Sequence, residues 1–152
     1  MKSVKPEIIN EMKLKIPSLS VNESTARTMI AAFSAQADPT TTELADIKCA
    51  VSEAVTNCIV HAYPNKIGEI YISVQIFAQR QIKITIRDRG CGIENVRKAR
   101  EPLFTTSPES ERSGMGFTVM ESFTDKLTVR SKKDKGTVVS FTKYLSERKR
   151  AE

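Results

Sequence analysis

A chain of 152 residues, 39% hydrophobic and 28% charged, is long enough to bury one full core and suits a single domain of ordinary size, residues 1–152. It contains no apolar run near the ~18 residues a bilayer crossing needs, and its opening MKSVKPEIINEMKLKIP lacks the apolar stretch of a secretory signal, so a cytoplasmic protein with no membrane partner is expected. Net charge is +6, but the excess is spread along the chain and gathers only weakly at RSKKDK and in the closing SERKRAE; solvated charge, not direct nucleic-acid binding, is the expectation.

Met12, Leu14 and Ile16 alternate in MKLKIP, which predicts a short strand ended by Pro17. Ser20 and Glu23 have capping-box spacing, and Ala26, Met29, Ile30, Phe33 and Ala37 follow with helical period. Asp38 and Pro39 break that helix, and the threonines of DPTTTE offer an N-cap for a second. Its stripe of Leu44, Ile47, Val51, Ala54, Val55, Cys58 and Ala62 ends near Pro64. Cys49 and Cys58, nine residues apart, fall on opposite faces of this helix and cannot pair within it. The three cysteines lack CxxC or CxxH spacing and are expected as reduced thiols.

After the PNKIG turn, EIYISVQIFA and QIKITIRD alternate with period two around Gln79 and Arg80, an antiparallel hairpin. RGCGI is a glycine break, ENVRKARE supplies a short helix, and residues 102–113 are too irregular for helix or strand. GMGFTVMESFTD opens with glycines and continues as a helix through Phe117, Met120 and Phe123; KLTVRS and TVVSFTKYL then flank the turn KKDKG. The order predicts an α+β two-layer sandwich, a mixed but mostly antiparallel sheet of about five strands covered on one face by about three helices. Architecture alone assigns no function.

Three stretches carry candidate chemistry. In SEAVTNCIVHAY, residues 52–63, Glu53, Asn57 and His61 stand at steps of four. Glu53 lies about 140° and Asn57 about 100° from the centre of the apolar stripe, so both leave the core. Their flank also holds Cys49, Ala50 and Val60, less polar than an open surface. A carboxylate and an amide one turn apart are able to share a ligand; an amide oxygen binds Mg²⁺ and a carboxylate deprotonates a hydroxyl. The same spacing also suits a solvated pair. In RDRGCGI, Asp88 ends a strand, with Gly90 and Gly92 allowing a tight turn and close approach of a flat ligand; its carboxylate could accept a hydrogen bond from the amine of adenine, or the stretch is a plain glycine turn. In ERSGMGF, Gly114 and Gly116 flank a helix entry whose free N–H groups favour phosphate, and Arg112 is placed to meet a terminal phosphate or to pair within its loop.

In this order the three stretches resemble the N, G1 and G2 boxes of the Bergerat-fold (GHKL) ATPases, a group that includes gyrase, MutL and histidine kinases; no P-loop GxxxxGK is present. More closely, IKCAVSEAVTNCIVHAY, ISVQI, TIRDRGCGI, PLFTTSPESERSGMGFTVMESF and GTVVSFTK are similar to the bacterial anti-sigma serine kinases, over about residues 11–146 of the chain. That resemblance implies one ATP-binding kinase domain with a core over residues 10–146 and a basic tail at 147–152. It implies ATP and Mg²⁺ as cofactors, with Glu53 as base toward a protein serine and Asn57 holding Mg²⁺. Asp88 would read the adenine amino group, helped by Thr137, while Gly90 and Gly92 shape that wall. Backbone at Gly114, Met115 and Gly116 would meet the phosphates, and Arg112 would steady the γ-phosphate during transfer.

The resemblance further implies a homodimer that inhibits a sporulation sigma factor of the sigma F type in its ATP state and phosphorylates a serine on an anti-anti-sigma antagonist. Arg27, about 105° from the stripe of the first helix, matches a partner-contact arginine; a solvated helix charge is the plainer reading. A nucleotide-dependent anti-sigma binding module without kinase turnover is the alternative. His61 is expected to make a local hydrogen bond, not to carry a phosphoryl group. About seven extra residues before MKLKIP, Cys91 between the G1 glycines, and HAY where HGY also occurs are departures from the family pattern.

Overall fold

Alternation in the strands and a 3.6-residue period in the helices build the molecule, and the computed structural model describes residues 5–101 and 116–147. In chain order the elements are β1 (Ile8–Pro17), α1 (Val21–Ser34) with a 3₁₀ turn at Ala35–Ala37, α2 (Thr41–Asn57) continued by a π turn at Cys58–Ala62, β2 (Glu69–Phe77), β3 (Gln81–Asp88), the short α3 (Val96–Ala99), α4 (Gly116–Ser122), β4 (Lys126–Lys132) and β5 (Gly136–Tyr144). The strands form one sheet in the order β1-β2-β3-β5-β4. All four pairings are antiparallel.

Period two places Ile70, Ile72, Val74 and Ile76 of β2 beside Ile82, Ile84 and Ile86 of β3 and Val139 and Phe141 of β5, all buried on one face. Onto that face α1 brings Ala26 and Ile30, α2 brings Ile47, Val51, Ala54 and Val55, and α4 brings Phe117 and Met120. Met29, assigned by spacing to the first apolar stripe, is 40% exposed instead. At the end of the core, Lys143 Nζ meets Asp46 Oδ2 at 2.9 Å and the Phe123 carbonyl at 3.2 Å, holding β5 against α2 and the end of α4.

The two long helices begin differently. Thr40 is extended, its Oγ1 accepts the Glu43 N–H at 3.0 Å, and Glu43 Oε1 accepts the Thr40 N–H at 2.8 Å, a complete capping box. The matching box expected at Ser20 does not form. Ser20 already has helical φ and ψ (−58° and −31°), which turns its hydroxyl away from a capping geometry, and no side-chain cap bond is made. The Glu23 carboxylate is used elsewhere: it accepts from the Ser52 hydroxyl of α2 and pairs with Arg27 at 3.3 Å.

Three further features differ from the sequence reading. β1 starts at Ile8, earlier than the MKLKIP strand, with a register shift between Ile8 and Asn10. Beyond Asn57 the α-helix widens, so that the Tyr63 N–H reaches the Cys58 carbonyl at 3.3 Å, a five-residue step. The charge that is scattered in sequence is gathered by the pleat: Lys13, Lys15, Lys83, Arg87, Lys126 and Arg130 share the sheet face opposite the helices. There Arg87 and Arg89 lie 4.8 and 5.0 Å from the centre of the Tyr71 ring.

Candidate nucleotide site

Asp88 is the last residue of β3 and its pleat position turns it into the helix-facing layer, where it is only 6% exposed. Oδ1 accepts the Gly90 N–H at 2.9 Å and the Thr137 N–H at 3.2 Å. Oδ2 faces the Cys58 thiol, which donates to it across 3.6 Å. Burial lifts the Asp88 pKa, and the hydrogen bonds from Gly90, Cys58 and Thr137 offset this only in part. Burial also pushes the Cys58 thiol well up, with the neighbouring Asp88 charge and their hydrogen bond adding to the effect, so the sulfur keeps its proton.

The glycines after Asp88 make close approaches to protein backbone. A Cβ on Gly90 would run into the Ala62 carbonyl, and one on Gly92, at φ +71°, into the Lys132 carbonyl. The reason is a backbone lock: Cys91 N–H donates to the Ala62 carbonyl at 3.0 Å, the Cys91 thiol to the His61 carbonyl at 3.0 Å, and the Asp134 N–H to the Cys91 carbonyl at 2.7 Å. The π turn presents those carbonyls, so the widened end of α2 holds the turn that carries Asp88. Tyr63, just after it, accepts the Arg89 N–H at 2.7 Å and donates to the Glu69 carbonyl at 2.7 Å. His61 itself is half-buried, and burial lowers its pKa, which keeps the imidazole neutral near pH 7.

Glu53 and Asn57 stand half-buried on α2, one turn apart. Gly116, where the described part of α4 opens, lies directly against Asn57: a Cβ there would be 3.2 Å from both Nδ2 and Oδ1 of its amide. Since Cys58 follows Asn57 in the chain and touches Asp88, the N-box helix meets the G1 turn on one side and the α4 entry on the other. Arg112, Gly114 and Met115 lie outside the described residues. Arg27 sits on α1, held by Glu23, which reaches Ser52 beside Glu53.

Thr137 is buried, its N–H on Asp88 and its hydroxyl 2.7 Å from Ser131 Oγ. Ser131, Cys58 and Tyr63 were not singled out by the sequence reasoning as parts of a site. Ser131 was detectable: counting outward from the KKDKG turn pairs it with Thr137. Among the described residues no group of three or more His, Cys, Asp or Glu is placed to hold a metal. A single amide oxygen is nevertheless the kind of sparse protein contribution that Mg²⁺ takes in a nucleotide site, with the remaining ligands from phosphate and water. Beside the G1 turn, a groove of about 780 Å³ is lined by Cys91, Ile93, Asn95, Lys98, Lys133 and Asp134.

An acidic residue on a sheet end, an Asn on a long helix and a glycine at the entry of another, joined over one layer of antiparallel sheet, define a class of ATPase: residues 16–143 match the histidine kinase-like ATPase domain. Solved structures share the fold at low identity. The RsbU and RsbW domains of a Mycobacterium tuberculosis protein superpose with a TM-score of 0.68 at 18% identity, over 91% of this chain and 33% of that one. The catalytic domain of the histidine kinase ThkA gives 0.57 at 14%, over 90% and 97%.

Within this class the chain belongs to the anti-sigma F factor family. It is 60% identical over 139 residues to the anti-sigma F factor of Caldanaerobacter subterraneus subsp. tengcongensis, covering 91% of this chain and 96% of that protein. It is 57% identical over 143 residues to that of Thermoanaerobacter sp. strain X514, covering 94% and 99%, and 57% over 138 residues to that of Bacillus thuringiensis, covering 90% and 94%.

Proposed function

We propose that this chain is an ATP- and Mg²⁺-dependent protein serine kinase, one domain over residues 1–152, that also binds a sigma factor of the sigma F type. The observation that carries the nucleotide reading is the meeting of three boxes: the Cys58 thiol on Asp88 Oδ2 at 3.6 Å, and Gly116 against the Asn57 amide. In this reading Asp88 and Thr137 accept the adenine amine, and Gly90 and Gly92 hold their turn against the π turn and the β4–β5 connection. Asn57 offers its amide oxygen to Mg²⁺, which when bound neutralises charge on the phosphates. Gly114, Met115 and Gly116 supply backbone N–H groups and Arg112 a guanidinium to the same phosphates.

Glu53, one turn before Asn57, takes the proton of a serine hydroxyl on an anti-anti-sigma protein as that oxygen attacks the γ-phosphorus, the bond to the β–γ bridging oxygen breaks and ADP leaves. The name carried by the curated relatives supports the sigma F partner, and Arg27 on α1 is the proposed contact. Action as a homodimer in the cytoplasm belongs to the same reading. The test is Glu53→Gln: nucleotide affinity is expected to stay within a few-fold while transfer of label from radioactive ATP to the antagonist serine falls by about 10²-fold or more. Retained transfer removes Glu53 as the base. If the unaltered chain binds ATP tightly but never labels the antagonist, the protein is a nucleotide-gated binding module instead.

A further inference from the structure

We infer that Ser131 sets the purine preference of the nucleotide site, by fixing the hydroxyl of Thr137 as an acceptor. The inference rests on the reading of Asp88 and Thr137 as the base-contacting pair. Asp88 on β3, Thr137 on β5 and Ser131 on β4 are direct cross-strand partners, so the three side chains stand in one row on the helix-facing side of the sheet. Ser131 Oγ has three neighbours: the Gly136 carbonyl at 3.0 Å, the Ile93 N–H at 2.7 Å and Thr137 Oγ1 at 2.7 Å.

A serine hydroxyl has one proton and two lone pairs. The carbonyl of Gly136 only accepts, so it takes the Ser131 proton. The Ile93 N–H only donates, so it takes one lone pair. All three contacts are satisfied in one arrangement, with Thr137 donating its proton to the remaining lone pair of Ser131. Thr137 Oγ1 is then left with lone pairs alone. Asp88 is constrained in the same sense: as a carboxylate it has no proton to offer, Oδ1 is taken up by two backbone N–H groups, and Oδ2 is oriented by the Cys58 thiol.

A base edge meeting this pair therefore faces two acceptors. A 6-amino purine has two N–H groups to give them. A 6-oxo purine would set its carbonyl oxygen against them with a single N1–H to give in place of the two amine protons, so acceptors oppose one another in a buried site, and polar mismatches of this kind discriminate strongly. Replacing Ser131 by a residue with no hydroxyl frees the Thr137 proton to rotate toward the ligand, which makes the site tolerant of a carbonyl.

The experiment compares dissociation constants of full-length protein for Mg·ATP and Mg·ITP, which differ at purine position 6, amine against carbonyl, and in the proton that N1 carries beside the carbonyl. In Ser131→Ala the preference for ATP over ITP is expected to fall by about tenfold or more, mainly through tighter ITP binding, whereas Ser131→Thr, which restores a hydroxyl, keeps the original ratio. An unchanged ratio in Ser131→Ala overturns the inference. Should that variant fail to fold, Thr137→Val decides: it keeps the backbone N–H on Asp88 but removes the acceptor, and an unchanged ratio there overturns the inference equally. If the unaltered chain binds neither nucleotide, the reading of the site itself fails and the inference with it; normal ATP binding with an insensitive ratio defeats the inference alone.

Discussion

Asp88 illustrates the tension at a single residue. Its pKa is raised because burial penalises the charged form more than its hydrogen bonds favour it. A carboxyl with a raised folded pKa contributes stability that is full below its ordinary value near 3.8 and is lost as pH rises from there through the folded pKa. Ionisation of the group is thus a net burden on the empty protein. Asp88→Asn keeps an acceptor for the Gly90 and Thr137 N–H groups and removes the charge. It is expected to raise the midpoint of thermal unfolding without nucleotide by ~2–4 °C while abolishing ATP binding by calorimetry. A lower midpoint would mean that the carboxylate's hydrogen bonds outweigh its burial. Glu53 and Asn57 were legible as candidate site residues because the helical period turned them out of the apolar stripe. Cys58 was not, because a thiol at a core position reads as a small hydrophobe until the strand that ends at Asp88 is packed against it.

Among the elements, the two helix starts separate what a motif promises from what a site allows. Ser20-x-x-Glu23 and Thr40-x-x-Glu43 have the same spacing, yet only Thr40 forms its box, since Glu23 is drawn across to Ser52 and Arg27. Glu43 is used twice over, its second oxygen accepting the Ser146 N–H at 2.8 Å. Burial acts to raise its pKa, but the bonds from Thr40 and Ser146 prevail and hold it below the ordinary value. Thr40→Ala is therefore expected to destabilise the fold by ~1 kcal/mol in denaturant titration, with nucleotide affinity unaltered because the cap lies at the far end of α2 from Asn57. Strands and hairpins were readable because alternation is local. The π turn was not: its five-residue step depends on Cys91 arriving to use the Ala62 and His61 carbonyls, a contact across some thirty positions of sequence. The polarity of the Ser131–Thr137 pair likewise needed the strand register, although the residues were in view.

For the whole molecule, the strand order governs more than shape. β2 and β3 are joined by a tight turn, as are β4 and β5, whereas β1 reaches β2 only after α1 and α2 have been traversed, about fifty residues between paired Pro17 and Glu69. Closing a loop of that length carries an entropy that local hairpins do not, so the edge strand is expected to dock after the rate-limiting barrier. The signature lies in kinetics. Ile16→Ala, on the buried side of β1, should speed unfolding by about tenfold and leave refolding within about twofold, whereas Ile84→Val, in the β2–β3 hairpin, should slow refolding. Equal partition of the Ile16 effect between the two arms of the chevron would place β1 in the folding nucleus. Late docking also leaves the free edge of β2 unpaired during each folding event, a template for a second chain, which makes refolding yield fall with protein concentration well before the finished fold shows any weakness.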